Sequence, residues 1–146
     1  MIDEELKERI LSDITETPYY QLLQMETVEL QEGRAKIKFE VDSKLTNFYQ
    51  ILHGGAMASL ADTAMGVAIR TVNQKAVTVN FSIDYLRAGK IKDIIIAEGK
   101  LKKQGENIIF AEAELYELES NKVIARAKGT FMVQEQIKKT TSNQND

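Results

Sequence analysis

The stretch Asn47-Phe48-Tyr49-Gln50-Ile51-Leu52-His53-Gly54-Gly55-Ala56-Met57-Ala58-Ser59-Leu60-Ala61-Asp62 decides how this chain is read. It sets the only histidine, His53, and a Gly-Gly pair at the mouth of an apolar run that continues to Ile69. Asp62 is the single charge in that run. Aspartate is a poor residue for a helix interior, and a carboxylate among apolar neighbours is costly unless it is hydrogen-bonded or used. A purely structural Asp62 would have to pair with a basic side chain or cap a backbone group, and a use beyond folding is the favoured expectation.

Working outward, the segment from about Gly55 to Arg70 is apolar nearly all round, so a helix there is expected to be buried. On its N-terminal side, residues 3–24 have helical spacing at Ile10, Leu11 and Ile14, interrupted at Pro18. From Thr27 the period becomes two. Val28, Leu30, Ala35, Ile37, Phe39 and Val41 alternate with polar residues around Glu32-Gly33, which predicts a hairpin. On the C-terminal side, residues 76–85 alternate as a strand whose Val77, Val79, Phe81, Ile83 and Tyr85 are expected to face a core or an interface. Three further strands are expected over 93–103, 107–118 and 122–133, with turns at Gln104-Gly105-Glu106 and Glu119-Ser120-Asn121. The order helix, hairpin, buried helix and strand meander predicts an α+β fold, an antiparallel sheet curved around one helix. One sheet of this size covers only part of such a helix, so a second subunit is expected. The reading is of one domain over 1–137, with 1–24 as its helical N-terminal segment and a polar, disordered tail over 138–146.

Composition narrows the function. The chain has 146 residues, 43% hydrophobic and 28% charged, with a formal charge of -3 and no basic stripe for nucleic acid. Cysteine is absent, so there is no thiol nucleophile and no disulfide. With one histidine, a transition-metal site would need an all-carboxylate ligand set, and none is expected. No apolar run is long enough to span a bilayer and the first residues are charged, so a cytoplasmic protein with no membrane partner is expected.

These residues in this order resemble the hotdog-fold acyl-CoA thioesterases of the 4-hydroxybenzoyl-CoA thioesterase-like superfamily, in particular the phenylacetic-acid-pathway (PaaI-like) branch. The likeness runs from about Tyr19 to Val133 and is strongest at His53-Gly54-Gly55-Ala56 and Ala61-Asp62-Thr63-Ala64. Asp62 follows His53 by nine residues and Asn47 precedes it by six, as in that branch. The resemblance implies Asp62 as the catalytic carboxylate and the Gly54 N–H as the group that polarises the thioester carbonyl. Asn47 would position substrate or water, and Thr78 would be a hydroxyl assisting the aspartate. A register slip of one residue in the strand would turn Thr78 away. The branch commonly assembles as dimers of dimers, so a homotetramer is the implied state.

Elementary chemistry is consistent with those roles. Glycines let a ligand approach the main chain, and a helix start offers unpaired N–H groups with a positive dipole end, suited to a carbonyl gaining negative charge. A carboxylate can attack that carbonyl or take a proton from water. Gly54 and Asp62 are eight residues apart, roughly 12 Å along a helix, too far to serve one carbonyl. If both act, they come from two subunits. The i±3 and i±4 neighbours of Asp62, namely Ala58, Ser59, Met65 and Gly66, are mostly small and leave room for an acyl chain or a second helix.

Each candidate also has a plainer reading. His53 could act as a base, but at a helix start it more often serves as hydrogen-bonded scaffold. Asn47 could simply satisfy its own loop. Gly55, Arg87 and Lys90 are candidates for holding the coenzyme A moiety, as are Lys102 and Lys103, against the plainer reading of solvated surface charge. The expected reaction is hydrolysis of an acyl- or aryl-acyl-CoA to the carboxylic acid and free CoA. No cofactor is expected beyond the CoA of the substrate. Two other functions compete: a non-catalytic acyl-CoA-binding domain, and an acyl-thioester hydratase or dehydratase. The dehydratase motif has prolines around its histidine, whereas Pro18 is the only proline here.

Overall fold

A computed structural model describes residues 1–138 of the chain. The rest of the expected tail, 139–146, lies outside the described residues. Helix α1, Glu4–Thr15, starts where the Asp3 carboxylate accepts the Leu6 N–H at 2.9 Å, and it buries Leu6, Ile10 and Ile14 at four-residue spacing. Pro18 then opens α2, Pro18–Leu22, because a proline in the first turn has no N–H that needs a partner. The helical segment expected over 3–24 is thus two short helices broken before the proline.

Strands β1, Glu26–Gln31, and β2, Arg34–Glu40, form the expected hairpin around Glu32-Gly33. Leu30, Ala35, Ile37, Phe39 and Val41 are buried as their alternation predicts. Val28 is not, because the pairing register shifts between Thr27 and Glu29 and leaves Val28 exposed. The long helix α3, Gly54–Arg70, follows, and then β3, Gln74–Tyr85; β4, Ile94–Gln104; β5, Ile108–Glu117; and β6, Val123–Gln136.

These strands form one antiparallel sheet in the order β1-β2-β4-β5-β6-β3. Only β4-β5-β6 is a meander. The sequence reading ran β3 into that meander, but β3 lies at the far edge beside β6, and β4 returns to pair with β2. Helix α3 crosses the inner face of the sheet and delivers the chain to the opposite edge before β4 begins. The helix sits close on β4. A Cβ at Gly99 would collide with the carbonyl of Ala64, so only glycine lets the two backbones approach this closely. Leu60, Ala61, Ala64, Met65 and Ala68 are fully enclosed on that side. Gly55, Ala58, Ser59, Asp62, Thr63 and Gly66 run along the opposite side and are only partly covered or exposed. The arrangement is the hotdog α+β fold, a curved sheet around one central helix.

Strand β3 departs from its sequence reading in an instructive way. Its pairing with β6 shifts register between Thr78 and Asn80, so Val79 is an extra residue. Before the bulge Ala76 and Thr78 face α3; after it Phe81, Ile83 and Tyr85 do, each opposite an inward residue of β6. Val77, paired with Met132 on the outer face, is 53% exposed, and the bulged Val79 is 55% exposed. These two valines therefore lie outside the chain's own core, which leaves the interface half of the sequence reading for them.

Candidate active site

The start of α3 is built by His53. Its Nδ1 accepts the Gly55 N–H at 2.8 Å, its carbonyl accepts the Ala56 N–H at 3.0 Å, and its own N–H donates to Leu45 at 2.8 Å. A neutral imidazole accepting at Nδ1 carries its proton on Nε2. The histidine is thus a helix cap, the scaffold role weighed for it from the sequence. Gly54, one residue on, has an N–H with no acceptor among the described residues, as expected for a first-turn donor.

Tyr85 holds Gly54 from the side. Its hydroxyl donates to the Gly54 carbonyl at 2.9 Å, and a Cβ on Gly54 would lie 3.1 Å from the ring. Sequence reading treated Tyr85 only as a core or interface residue. Its place at the end of an inward-facing set, level with the helix start, becomes visible only when β3 is laid against α3.

Two turns along the helix, the Asp62 Oδ1 accepts the Thr78 hydroxyl at 2.7 Å. Thr78 points inward because of the bulge after it, so the register slip that threatened this contact does not turn it away. The hydrogen bond fixes one carboxylate oxygen and leaves Oδ2 free of any partner among the described residues. Asp62 is partly exposed, on the side of α3 that the chain's own sheet does not cover.

Asn47 lies in the loop before the helix. Its Oδ1 accepts the Tyr49 N–H at 2.9 Å and the Ile51 N–H at 3.4 Å, while its N–H donates to the Ile51 carbonyl at 2.9 Å. Within this chain it closes an Asx-type turn, and it is not brought to Asp62. The turn pushes Phe48 out to full exposure, with Tyr49 beside it.

The loop bearing Arg87 and Lys90 is stitched to the same region. Leu52 donates to the Gly89 carbonyl at 2.8 Å, and Ile51 bridges Lys90. Arg87, Lys90 and Lys122 line a cavity of about 390 Å³ there together with Asp93 and Glu117, so three cations and two carboxylates gather near the loop that leads into α3. Lys122 was not anticipated, because its turn is distant in sequence. Lys102 and Lys103 do not join them. Lys102 pairs with Glu112 at 3.8 Å and lines a cavity on the outer face of the sheet, away from the helix. Lys103 sits on the same distal end of β4. Among the described residues no group of three or more acidic or histidine side chains is placed to hold a metal ion.

Comparison with known proteins finds relatives in sequence and in fold. A model of the thioesterase superfamily matches residues 49–124. A putative esterase of Archaeoglobus fulgidus is 32% identical over 111 residues, 76% of this chain and 71% of that protein. Acyl-coenzyme A thioesterase PaaI of Escherichia coli is 30% identical over 107 residues, 73% of this chain and 76% of that one. Among solved structures, the E. coli PaaI protein superposes with a TM-score of 0.87 at 24% identity, covering 93% of this chain and 98% of that chain. A Streptococcus mutans protein solved with acetyl CoA bound superposes with a TM-score of 0.75 at 26% identity, covering 78% and 91%.

Proposed function

The chain belongs to the thioesterase superfamily, and from that premise we propose that it is a cytoplasmic acyl-CoA thioesterase acting as a homodimer or a dimer of dimers. It hydrolyses an acyl- or aryl-acyl-CoA to the carboxylic acid and free coenzyme A. The observation that supports this most directly is the bond between Thr78 and Asp62, which orients the one carboxylate of α3 and leaves its second oxygen available. The named activity of the E. coli relative and the acetyl CoA bound to the S. mutans protein support the same reading.

In the proposed reaction Asp62 either takes a proton from water, which then adds to the thioester carbonyl, or adds to that carbonyl itself. In both cases the C–S bond breaks, the thiolate leaves with CoA, and water supplies the hydroxyl of the acid and the proton of the thiol. The Gly54 N–H of the partner subunit stabilises the oxyanion, a type of contact worth about 10²–10³ in rate. Asn47 of the partner subunit assists in placing substrate or water. Gly55, Arg87 and Lys90 hold the CoA moiety, and Lys122 adds a third cation. No metal or redox cofactor takes part.

Three features support a two-subunit site. Asp62 and Gly54 are separated by about two turns of helix, roughly 12 Å. A stripe of small residues on α3 is left uncovered by the chain's own sheet. The edge strand β3 presents an unpaired ladder with Val77 and Val79 exposed, the kind of edge that pairs with another chain.

The test is thiol release from a panel of acyl-CoAs, with Asp62→Asn as the paired variant. Loss of about 10²–10⁴ in kcat with fold and assembly intact is expected. Wild-type protein that binds acyl-CoA but releases no thiol from any member would sink the proposal in favour of a binding domain. A single turnover in ¹⁸O-water separates the two roles of Asp62, because only direct attack places label in its carboxylate.

A further inference from the structure

Strand β3 sends two hydroxyls to α3, and an unbroken strand could not deliver both. Thr78 and Tyr85 are an odd number of residues apart, so strict alternation would put them on opposite faces of the sheet. The extra residue at Val79 shifts the register between Thr78 and Asn80 and brings both onto the helix side. Each then donates to a different end of the candidate site. Thr78 reaches Asp62 Oδ1 at 2.7 Å, and Tyr85 reaches the Gly54 carbonyl at 2.9 Å. A bulge disrupts the ladder locally and re-aims side chains, and this one serves both contacts.

Tyr85 acts on the softest point of the helix start. Gly54 and Gly55 are its first two residues, and glycine gains the most freedom when a helix end opens. The peptide plane before Gly54, which carries its free N–H, is held by the His53 carbonyl, accepting from Ala56 at 3.0 Å and Met57 at 3.2 Å. The plane after it is held by the Gly55 N–H on His53 Nδ1 at 2.8 Å and by Tyr85 on the Gly54 carbonyl. Of these partners only Tyr85 comes from outside the turn. A Cβ on Gly54 would lie 3.1 Å from its ring and 3.2 Å from its hydroxyl, so the tyrosine fills the flank of the glycine. Tyr85 is 50% exposed, so water was open to its hydroxyl and burial did not force this bond. By contrast, the Ser59 hydroxyl on the Gly55 carbonyl is a back-bond within the helix of the kind serines commonly make.

We propose that Tyr85 is a positioning residue for the hydrolysis. By pinning the peptide plane after Gly54 it holds the Gly54 N–H in the direction that meets the oxyanion as the thioester carbonyl becomes tetrahedral. This rests on the acyl-CoA reading given above, in which that N–H is the oxyanion donor. Such a donor contributes most when its direction is set before the charge develops. The bond makes no demand on the ground-state substrate, so its loss should fall on kcat and spare KM.

The experiment compares wild type, Tyr85→Phe and a variant with para-aminophenylalanine in place of Tyr85, which returns an N–H donor to the same ring. Thiol release is followed on acyl-CoAs. Calorimetry measures binding of S-propyl-CoA, which has no carbonyl oxygen, and of S-trifluoroacetonyl-CoA, whose ketone hydrates to a tetrahedral mimic of the oxyanion. Tyr85→Phe should lower kcat about 10-fold at unchanged KM, less than the loss of a whole oxyanion donor. It should weaken the ketone about 10-fold as well, leave S-propyl-CoA unchanged, and be largely rescued by the amino variant. Equal kcat in wild type and Tyr85→Phe, or equal weakening of both ligands, would overturn the proposal while leaving the thioesterase reading standing. Ketone binding that Tyr85→Phe selectively weakens, in a wild type with no turnover, would uphold the hold of Tyr85 on the Gly54 donor and sink the hydrolase. Should Tyr85→Phe fail to assemble, ¹⁵N-glycine-labelled wild type decides by relaxation: a Gly54 amide as rigid as that of Gly66 upholds the brace, and a mobile one overturns it.

Discussion

At the scale of single residues, the Thr78 hydroxyl on Asp62 is the contact most open to a clean test. A hydrogen bond to a charged group contributes about 1.5–3 kcal/mol, so Thr78→Val should lower kcat by about 10–100-fold. Thr78→Ser, which keeps the hydroxyl, should retain most of the activity. Equal losses in both variants would mean that the bond does not matter to the reaction. The carboxylate itself was legible in the sequence because a lone acid in an apolar helix is conspicuous. Tyr85 was not, since a tyrosine at the end of an alternating strand looks like any other inward aromatic. What distinguishes it is the 2.9 Å bond to the Gly54 carbonyl, a contact between residues 31 apart.

At the scale of elements, periodicity located the six strands, the buried helix and the helical N-terminal segment, but not the short 3-10 turn at Ser43–Leu45, and the errors in the strands came where the period breaks. The bulge at Val79 reverses the two faces of β3, and the one after Thr27 turns Val28 outward. Alternation in sequence carries no mark of either, because a bulge is chosen by pairing with the neighbouring strand. The outer face of the sheet holds a cluster of charges around Glu98, which meets Lys100 at 2.9 Å, Arg34 at 3.0 Å and Lys36 at 3.9 Å. Burial pushes the Glu98 carboxyl up, but the hydrogen bonds from Lys100 and Arg34 outweigh it and hold the group below its usual 4.5. A depressed carboxyl adds stability that is present above pH 4.5 and is lost as pH falls through the lower folded value. Glu98→Gln should therefore weaken acid unfolding's dependence on pH below about 4.5, as followed by circular dichroism along a pH series. An unchanged curve would show that these ion pairs contribute nothing to folding.

At the scale of the whole molecule, the central expectation is assembly through the β3 edge and the uncovered stripe of α3. Replacing Val77 and Val79 together with lysine puts two like charges on a stretch of edge that is uncharged between Lys75 and Asp84, a device that blocks strand pairing. Sedimentation should show wild type as a dimer or tetramer and the double variant as a monomer, with thiol release lost as well. A monomeric variant that keeps full turnover would mean that one chain carries a complete site. The same edge explains why strand order escaped the sequence. Neither β3 nor β4 records which strand it will pair with, and the crossing of α3 over the sheet sends them to different neighbours.

By itself the sequence determined the kinds of element, their boundaries to within a few residues, the buried helix and the Asp62 carboxylate. All of these depend on local periodicity, glycine and proline chemistry, and one misplaced charge, and each can be read within a few turns of chain. Tertiary structure alone decided the strand register that brings Thr78 to Asp62, that Tyr85 braces Gly54, that Lys122 joins Arg87 and Lys90, and that α1–α2 walls a cavity against the flank of α3. Those facts depend on strand register, bulges and the docking of distant segments, which arise from packing the whole chain at once and leave no periodic trace in any one stretch of it.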